Sequence, residues 1–178
     1  MTSKKDWEKD FIAELRSLTA PPNPDRATLA ELRRCLGCDL GRALSRVGRL
    51  FNRVPDYALD DALLVAALFA FHPSPGSGGS LGEAFRELRA RAGSDSIEKR
   101  FVALLDSAKE DLPGRLRQAV SLLKSKEIAL DWEQLLTDLR RWEQPSRGVQ
   151  RDWARRFWEE RRAEPPSAGA VTESQPIA

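Results

Sequence analysis

The chain has 178 residues, 41% hydrophobic and 31% charged, with a net charge of only +2. That length predicts one compact domain with a real core, and the near-balanced charge excludes a protein that binds nucleic acid by bulk positive charge alone. The start "MTSKKDWEKDF" has no apolar signal region, and the longest apolar run, "ALLVAALFAF" at 62–71, falls short of the roughly 20 residues that span a bilayer, so a cytoplasmic protein away from membranes is expected.

Every strong pattern along the chain has helical period and none alternates like a strand, so the fold class is all-α, a compact bundle of about eight helices. Asp6 precedes a helix over about 7–18 with Trp7, Phe11 and Leu15 at four-residue steps, ended by "TAPPNPD". Helices over about 26–36 and 39–53 follow, parted near Gly37. Asp56 opens a helix to about His72 that is apolar all round and belongs at the centre of the fold. "HPSPGSGGS" at 72–80 is a loop, and Ser80 with Glu83 forms a capping box for a helix over about 81–92. Asp95 with Glu98 reads as a similar start for "DSIEKRFVALL", whose Ile97, Phe101, Leu104 and Leu105 point inward. Asp111 opens the next helix, and Asp131 with Gln134 opens "WEQLLTDLRRW", which Pro145 stops. A last helix spans about 146–162 with Val149, Trp153 and Phe157 as its stripe. The helical part is expected over 1–163, with two lobes, about 1–75 and 80–163, as an alternative arrangement about the 72–80 loop. Residues 164–178, rich in Ala, Pro and Ser, have no period to bury and are expected to be disordered.

Catalytic chemistry is hard to assemble from these residues, and no enzyme, cofactor or metal is expected. His72 is the only histidine and has no Ser or Cys partner at a recognisable spacing. It suits a helix C-terminus, where the dipole favours it. Cys35 and Cys38 form a lone C-x-x-C without a second cysteine pair, so they read as small buried hydrophobes rather than a zinc site. Asp60 and Asp61 diverge by about 100° on a helix and cannot share a metal by themselves. The glycines at 76 and 78–79 lack the Lys and Ser/Thr of a phosphate loop.

Arginine is the distinctive residue: 22 of the 29 basic side chains. Its planar fork suits phosphate and stacks on aromatic faces and bases. Arg42, Arg46, Arg49 and Arg53 fall within roughly 60° on one helical wheel. Residues 26–53 carry seven arginines against Glu31 and Asp39. This stripe is either an anion-binding face or a solvated one with partners elsewhere in the fold; Gly41 and Gly48 would break the helix that aligns it. A second basic block, Arg140, Arg141, Arg147, Arg151, Arg155 and Arg156, flanks Trp142 and Phe157-Trp158, as suits either single-stranded nucleic acid or a core helix with a charged rim. Residues 28–47 also read as a helix-turn-helix, the alternative being a DNA-binding regulator. The second helix, starting "CDLGRALSR", offers Arg42 and little else to read bases.

The run "SIEKRFVALLDSAKEDLPGRLRQAVSLLKSKEIALDWEQLLTDLRRW" at 96–142, together with the basic, aromatic last helix, resembles the CasB family, the small subunit of the type I-E CRISPR Cascade complex. "LGEAFRELR" and "ELRR" at 31–34 sit where that family has counterparts. The resemblance covers about 80–160 well and the N-terminal half loosely. It implies a non-catalytic, all-helical subunit of an RNA-guided antiviral ribonucleoprotein. A second copy of the chain, the backbone and large subunits and the guide RNA are its implied partners, with target DNA and the displaced strand held in an open R-loop. Base pairing then reads the sequence and the protein supplies backbone contacts. By family position Lys99 and Arg100 are DNA-facing, followed by Arg33, Arg34, Arg117, Arg140 and Arg141. Arg117 shares a helix flank with Lys124, which ranks it ahead of Arg115.

Overall fold

A computed structural model describes residues 7–37, 40–74 and 78–159. Among them are nine α-helices: α1 (Trp7–Ser17), α2 (Arg26–Arg34), α3 (Leu40–Val47), α4 (Leu59–Phe71), α5 (Leu81–Ala92), α6 (Asp95–Leu105), α7 (Leu112–Ser125), α8 (Trp132–Arg140) and α9 (Gly148–Trp158). Shorter 3-10 turns occupy Gly48–Phe51, Asp56–Ala58 and Lys109–Asp111. The described residues contain no strand, only an isolated bridge between Gly79 and Leu130. None of the helices is long and apolar enough to cross a membrane. The tail at 164–178 and Cys38 lie outside the described residues; Cys35 is buried.

Local chemistry sets most boundaries. Asp25 accepts from the Thr28 amide at 2.9 Å to start α2. Ser80 and Glu83 make the reciprocal capping box of α5, and Asp131 accepts from the Gln134 amide at 3.0 Å to start α8. Gly93, in the left-handed region at φ 59°, ends α5 where a side chain would be strained.

Five expected boundaries differ. The start of α6 is capped by Ser94, whose hydroxyl accepts from the Ser96 amide, so Asp95 is already helical and the Asp95/Glu98 box does not form. The 3-10 turn at Lys109–Asp111 leads into α7, and the Asp111 side chain caps nothing. The helix expected over 39–53 is α-helical only to Val47. At Gly48 it tightens into a 3-10 turn, which lets the consecutive Leu50 and Phe51 both reach the core. Finally, α8 ends at Arg140, so Trp142 is buried from the following turn, its indole N–H donating to the Ser107 carbonyl at 3.1 Å. Arg147 takes a left-handed conformation at φ 49°, and α9 begins after it at Gly148 rather than at 146.

α4 is the centre. From Ala62 to Ala70 all side chains but Leu64 are buried, and α2, α3, α7 and α8 pack around it. At its C-terminus His72 donates from Nε2 to the Ile128 carbonyl at 2.8 Å. Beyond it, Trp132 Nε1 donates to Ser74 Oγ at 3.3 Å and the Asp131 amide donates to the Gly79 carbonyl at 2.9 Å. α5 and α9 approach closely at Gly82, where an added Cβ would collide with the Trp153 carbonyl oxygen. Phe85, Phe101 and Phe157 then stack in sequence from α5, α6 and α9, with centroids 5.1 and 4.2 Å apart.

Two polar ties join helices through the core. Asp138 on α8 is buried and accepts from Trp153 Nε1 at 2.6 Å and from Gln134 Nε2 at 2.8 Å. Burial pushes its carboxyl above the ordinary 3.8, the two hydrogen bonds opposing only in part. Arg140 pairs with Glu8 across α8 and α1, their side chains 28% and 11% exposed, and its guanidinium lies 5.3 Å from the ring centroids of both Trp7 and Tyr57.

Two outcomes are expected. Because the folded-state pKa of Asp138 is raised, its contribution to stability is least favourable at neutral pH and improves as pH falls through that raised value towards 3.8. Asp138→Asn should flatten that part of a urea-denaturation profile across pH while keeping the Trp153 bond. Asp138→Ala, which orphans the indole N–H, should cost about 2 kcal/mol. Arg140→Ala should cost about 2 kcal/mol in the same assay by leaving the buried Glu8 with the Thr137 hydroxyl but no ion-pair partner, whereas Arg141→Ala, at an exposed position, should cost less than about 0.5 kcal/mol.

Candidate nucleic-acid interface

The basic side chains divide by whether the fold supplies them with a carboxylate or carbonyl. On the N-terminal face it does. Arg34 pairs with Glu31 on its own helix, Arg46 reaches the other oxygen of Glu31 at 3.2 Å, and Arg49 bonds Asp25 at 3.0 Å and Thr28 Oγ1 at 3.1 Å. The Thr28 amide and hydroxyl, with Arg49 beside them, hold the Asp25 carboxyl below its ordinary range. Arg42 is not free either. The break at Gly48 and these pairs tie the stripe at 42–53 from α3 and the following 3-10 turn back to α2, which leaves Arg33 and Arg53 exposed without an ion pair among the described residues. A helix-turn-helix would need α3 free to enter a groove; here Ala43 and Val47 are buried and Arg46 is tied back to α2.

Other candidates have structural work. Lys124 donates to the Phe71 carbonyl at 2.9 Å and sits 4.4 Å over the Phe71 ring, completing the C-terminus of α4. Arg147 donates to the Leu105 carbonyl at 2.7 Å, at the end of α6. Arg140 is the α1–α8 tie. Arg156 bonds Asp152 at 2.8 Å, which raises its pKa, and Glu83 at 2.9 Å. For Glu83, burial pushes upward, but the bonds from Ser80 and the Arg156 charge outweigh it and the carboxyl ends below its ordinary value.

Lys99, Arg100, Arg117, Arg141 and Arg151 remain exposed with no ion-pair partner among the described residues. Lys99 and Arg100 lie on α6 off its buried face of Ile97, Phe101 and Leu104. Arg117 lies on the flank of α7 that Lys124 marks as facing the end of α4. Arg115, ranked lower from the sequence, lies on the other flank and lines a recess with Arg100 and Gln118. Its only local acid at helical spacing is Asp111, and only the packing of α7 on α6 brings it beside Arg100. Arg89 is the other unforeseen cation: its guanidinium sits 4.6 and 5.2 Å from the rings of Phe157 and the half-exposed Trp158.

What these side chains share chemically is donors without acceptors: guanidinium forks and an ammonium, which suit phosphate oxygens. Among the described residues no group of three or more His, Cys, Asp or Glu could hold a metal ion.

Comparison with known proteins bears on the same region. The family model for CRISPR-associated protein Cse2 matches residues 28–158. A curated Cse2 protein of Thermus thermophilus is 43% identical over 88 residues; that match covers 49% of each protein, so the chain spans about half the length of this relative. The crystal structure of M. ruber CasB superposes with a TM-score of 0.72 at 36% identity, over 85% of this chain and 92% of that one. A chain from a structure of a CRISPR RNA-guided surveillance complex shares the fold, with a TM-score of 0.68 at 22% identity over 86% of this chain and 91% of that one. With the family model spanning both the α2–α4 core and the α6–α7 basic face, the chain belongs to the CRISPR-associated Cse2 (CasB) family.

Proposed function

We propose that the chain is a non-catalytic, cytoplasmic small subunit of a CRISPR RNA-guided surveillance complex, and that it binds nucleic-acid backbone without reading sequence. In this reading residues 7–159 act as one body, supported by a contiguous buried core from Trp7 to Phe157. The partners are the backbone and large subunits, a second copy of the chain, the guide RNA, the target DNA and the displaced strand. Family membership and the fold shared with a surveillance-complex chain support the assembly.

The observation that carries the binding role is the uncompensated set on α6 and α7: Lys99, Arg100 and Arg117, exposed and without carboxylate partners among the described residues. Arg33, Arg53, Arg141 and Arg151 extend it. Exchanging a DNA duplex for an RNA–DNA hybrid is nearly balanced in free energy, so a few phosphate contacts to the opened strands shift the outcome.

In the assembled complex, Lys99→Ala with Arg100→Ala should lower the yield of open R-loop, read as permanganate reactivity of the displaced strand, while the subunit still folds and incorporates. Targets with guide mismatches should lose most. The slope of log affinity against log salt should flatten by about 1 to 2 units. Unchanged reactivity and slope would assign the pair to a solvated surface.

A further inference from the structure

Arg100 from α6 and Arg115 from α7 line one recess, with Gln118 as its third polar residue and Phe85, Leu104 and Leu122 among its apolar walls. The recess has a volume of about 20 Å3, room for one water-sized group. Among the described residues no carboxylate lines it and neither arginine has an ion pair, although Asp111 stands four residues before Arg115. Arg100 has no acid at i±3 or i±4 on its own helix.

Two cations at one recess repel each other, and among the described residues no carboxylate pairs with either of them. An anion between them would. Each guanidinium presents a planar fork, and Gln118 adds an amide donor. A tetrahedral phosphate has oxygens enough to accept from two guanidinium forks and an amide at once. We propose that Arg100 and Arg115 together hold a single backbone phosphate, with Gln118 donating to the same group. This rests on the nucleic-acid reading above and adds to it a specific, shared contact in place of two independent ones.

Sharing has a thermodynamic signature. One phosphate held by two arginines counts once in counterion release, and its two ligands are coupled. With the full chain and a dT oligonucleotide, Arg100→Ala and Arg115→Ala should each weaken binding about tenfold. The double variant should be little weaker than either, with a total slope change of about 0.7. Arg100→Lys with Arg115→Lys should keep the slope but still lose several-fold in affinity, because ammonium groups keep the charge without the fork. A duplex arm should show the same coupling with a slope change of about 0.9 if duplex phosphates enter the recess; coupling confined to the oligonucleotide would identify a single strand as the source. Circular dichroism of each variant checks folding. Additive losses near a hundredfold with about twice the slope change would mean separate phosphates and overturn the inference. So would inorganic phosphate shifting the Arg100 and Arg115 Nε resonances while oligonucleotide affinity ignores both substitutions. Wild-type chain that binds no nucleic acid with a salt-dependent affinity would instead overturn the nucleic-acid reading itself.

Discussion

A helix that is apolar around its whole circumference must be surrounded, and α4 imposes that condition on this fold. Buried on all sides between Ala62 and Ala70, it needs neighbours in every direction, and α2, α3, α7 and α8 supply them. Partners from elsewhere in the chain then meet both of its ends. At the C-terminus Lys124 takes the Phe71 carbonyl, while His72, the residue that follows the helix, reaches the carbonyl of Ile128. Near the N-terminus Lys109 pairs with Asp61 at 2.6 Å. These partners come from α7 and its flanking turns, so the demand made by one apolar segment positions a helix from the other half of the chain.

The position of α7 determines the basic surface. Its inner face, Leu112, Leu116, Ala119, Val120 and Leu123, is committed to the core. One flank faces the end of α4 and the other faces α6, whose own inner face packs with Phe85 and Phe157. Arg100 and Arg115 are left at the seam. Elsewhere on the protein, α2 and α3 bring arginines against Glu31 and Asp25. The region richer in arginine, seven over residues 26–53 against three on α6 and α7, is thus the one whose charges the fold pairs more fully. The α2–α3 face is largely neutralised and the α6–α7 face is not. On the first face Arg33 and Arg53 keep donors open, whereas on the second Lys99, Arg100, Arg115 and Arg117 all do, so a ligand there displaces few existing bonds.

Exposed pairs such as Arg46–Glu31 add about 1 kcal/mol or less. Their main effect is to occupy donors, which makes the α2–α3 face poorer at capturing anions than its composition implies. The half-buried Arg140–Glu8 pair differs, because breaking it strands a charge between α1 and α8. Adjacent arginines, Arg140 and Arg141, therefore hold unrelated positions in the fold, one a structural tie and the other an exposed cation.

The chain's own residue order determined the helices and many of their ends. Apolar side chains recur at helical spacing, and caps such as Ser80 with Glu83 or Asp131 with Gln134 span only three residues, so the bonds that form them are visible locally. Boundaries were illegible where packing competed with local preference, as at Gly48, where Leu50 and Phe51 both seek the core, and at Trp142, buried from a turn rather than from a helix. Some arginines pair at helical spacing, as Arg34 does with Glu31, but the state of others was decided only by tertiary structure. Arg46 finds its acid 15 residues away, Arg49 24 and Arg140 132, and Arg115 meets Arg100 only because α7 lies against α6. Helical hydrogen bonds close within a few residues, whereas an ion pair depends on which helix faces which, and that is settled by burying α4.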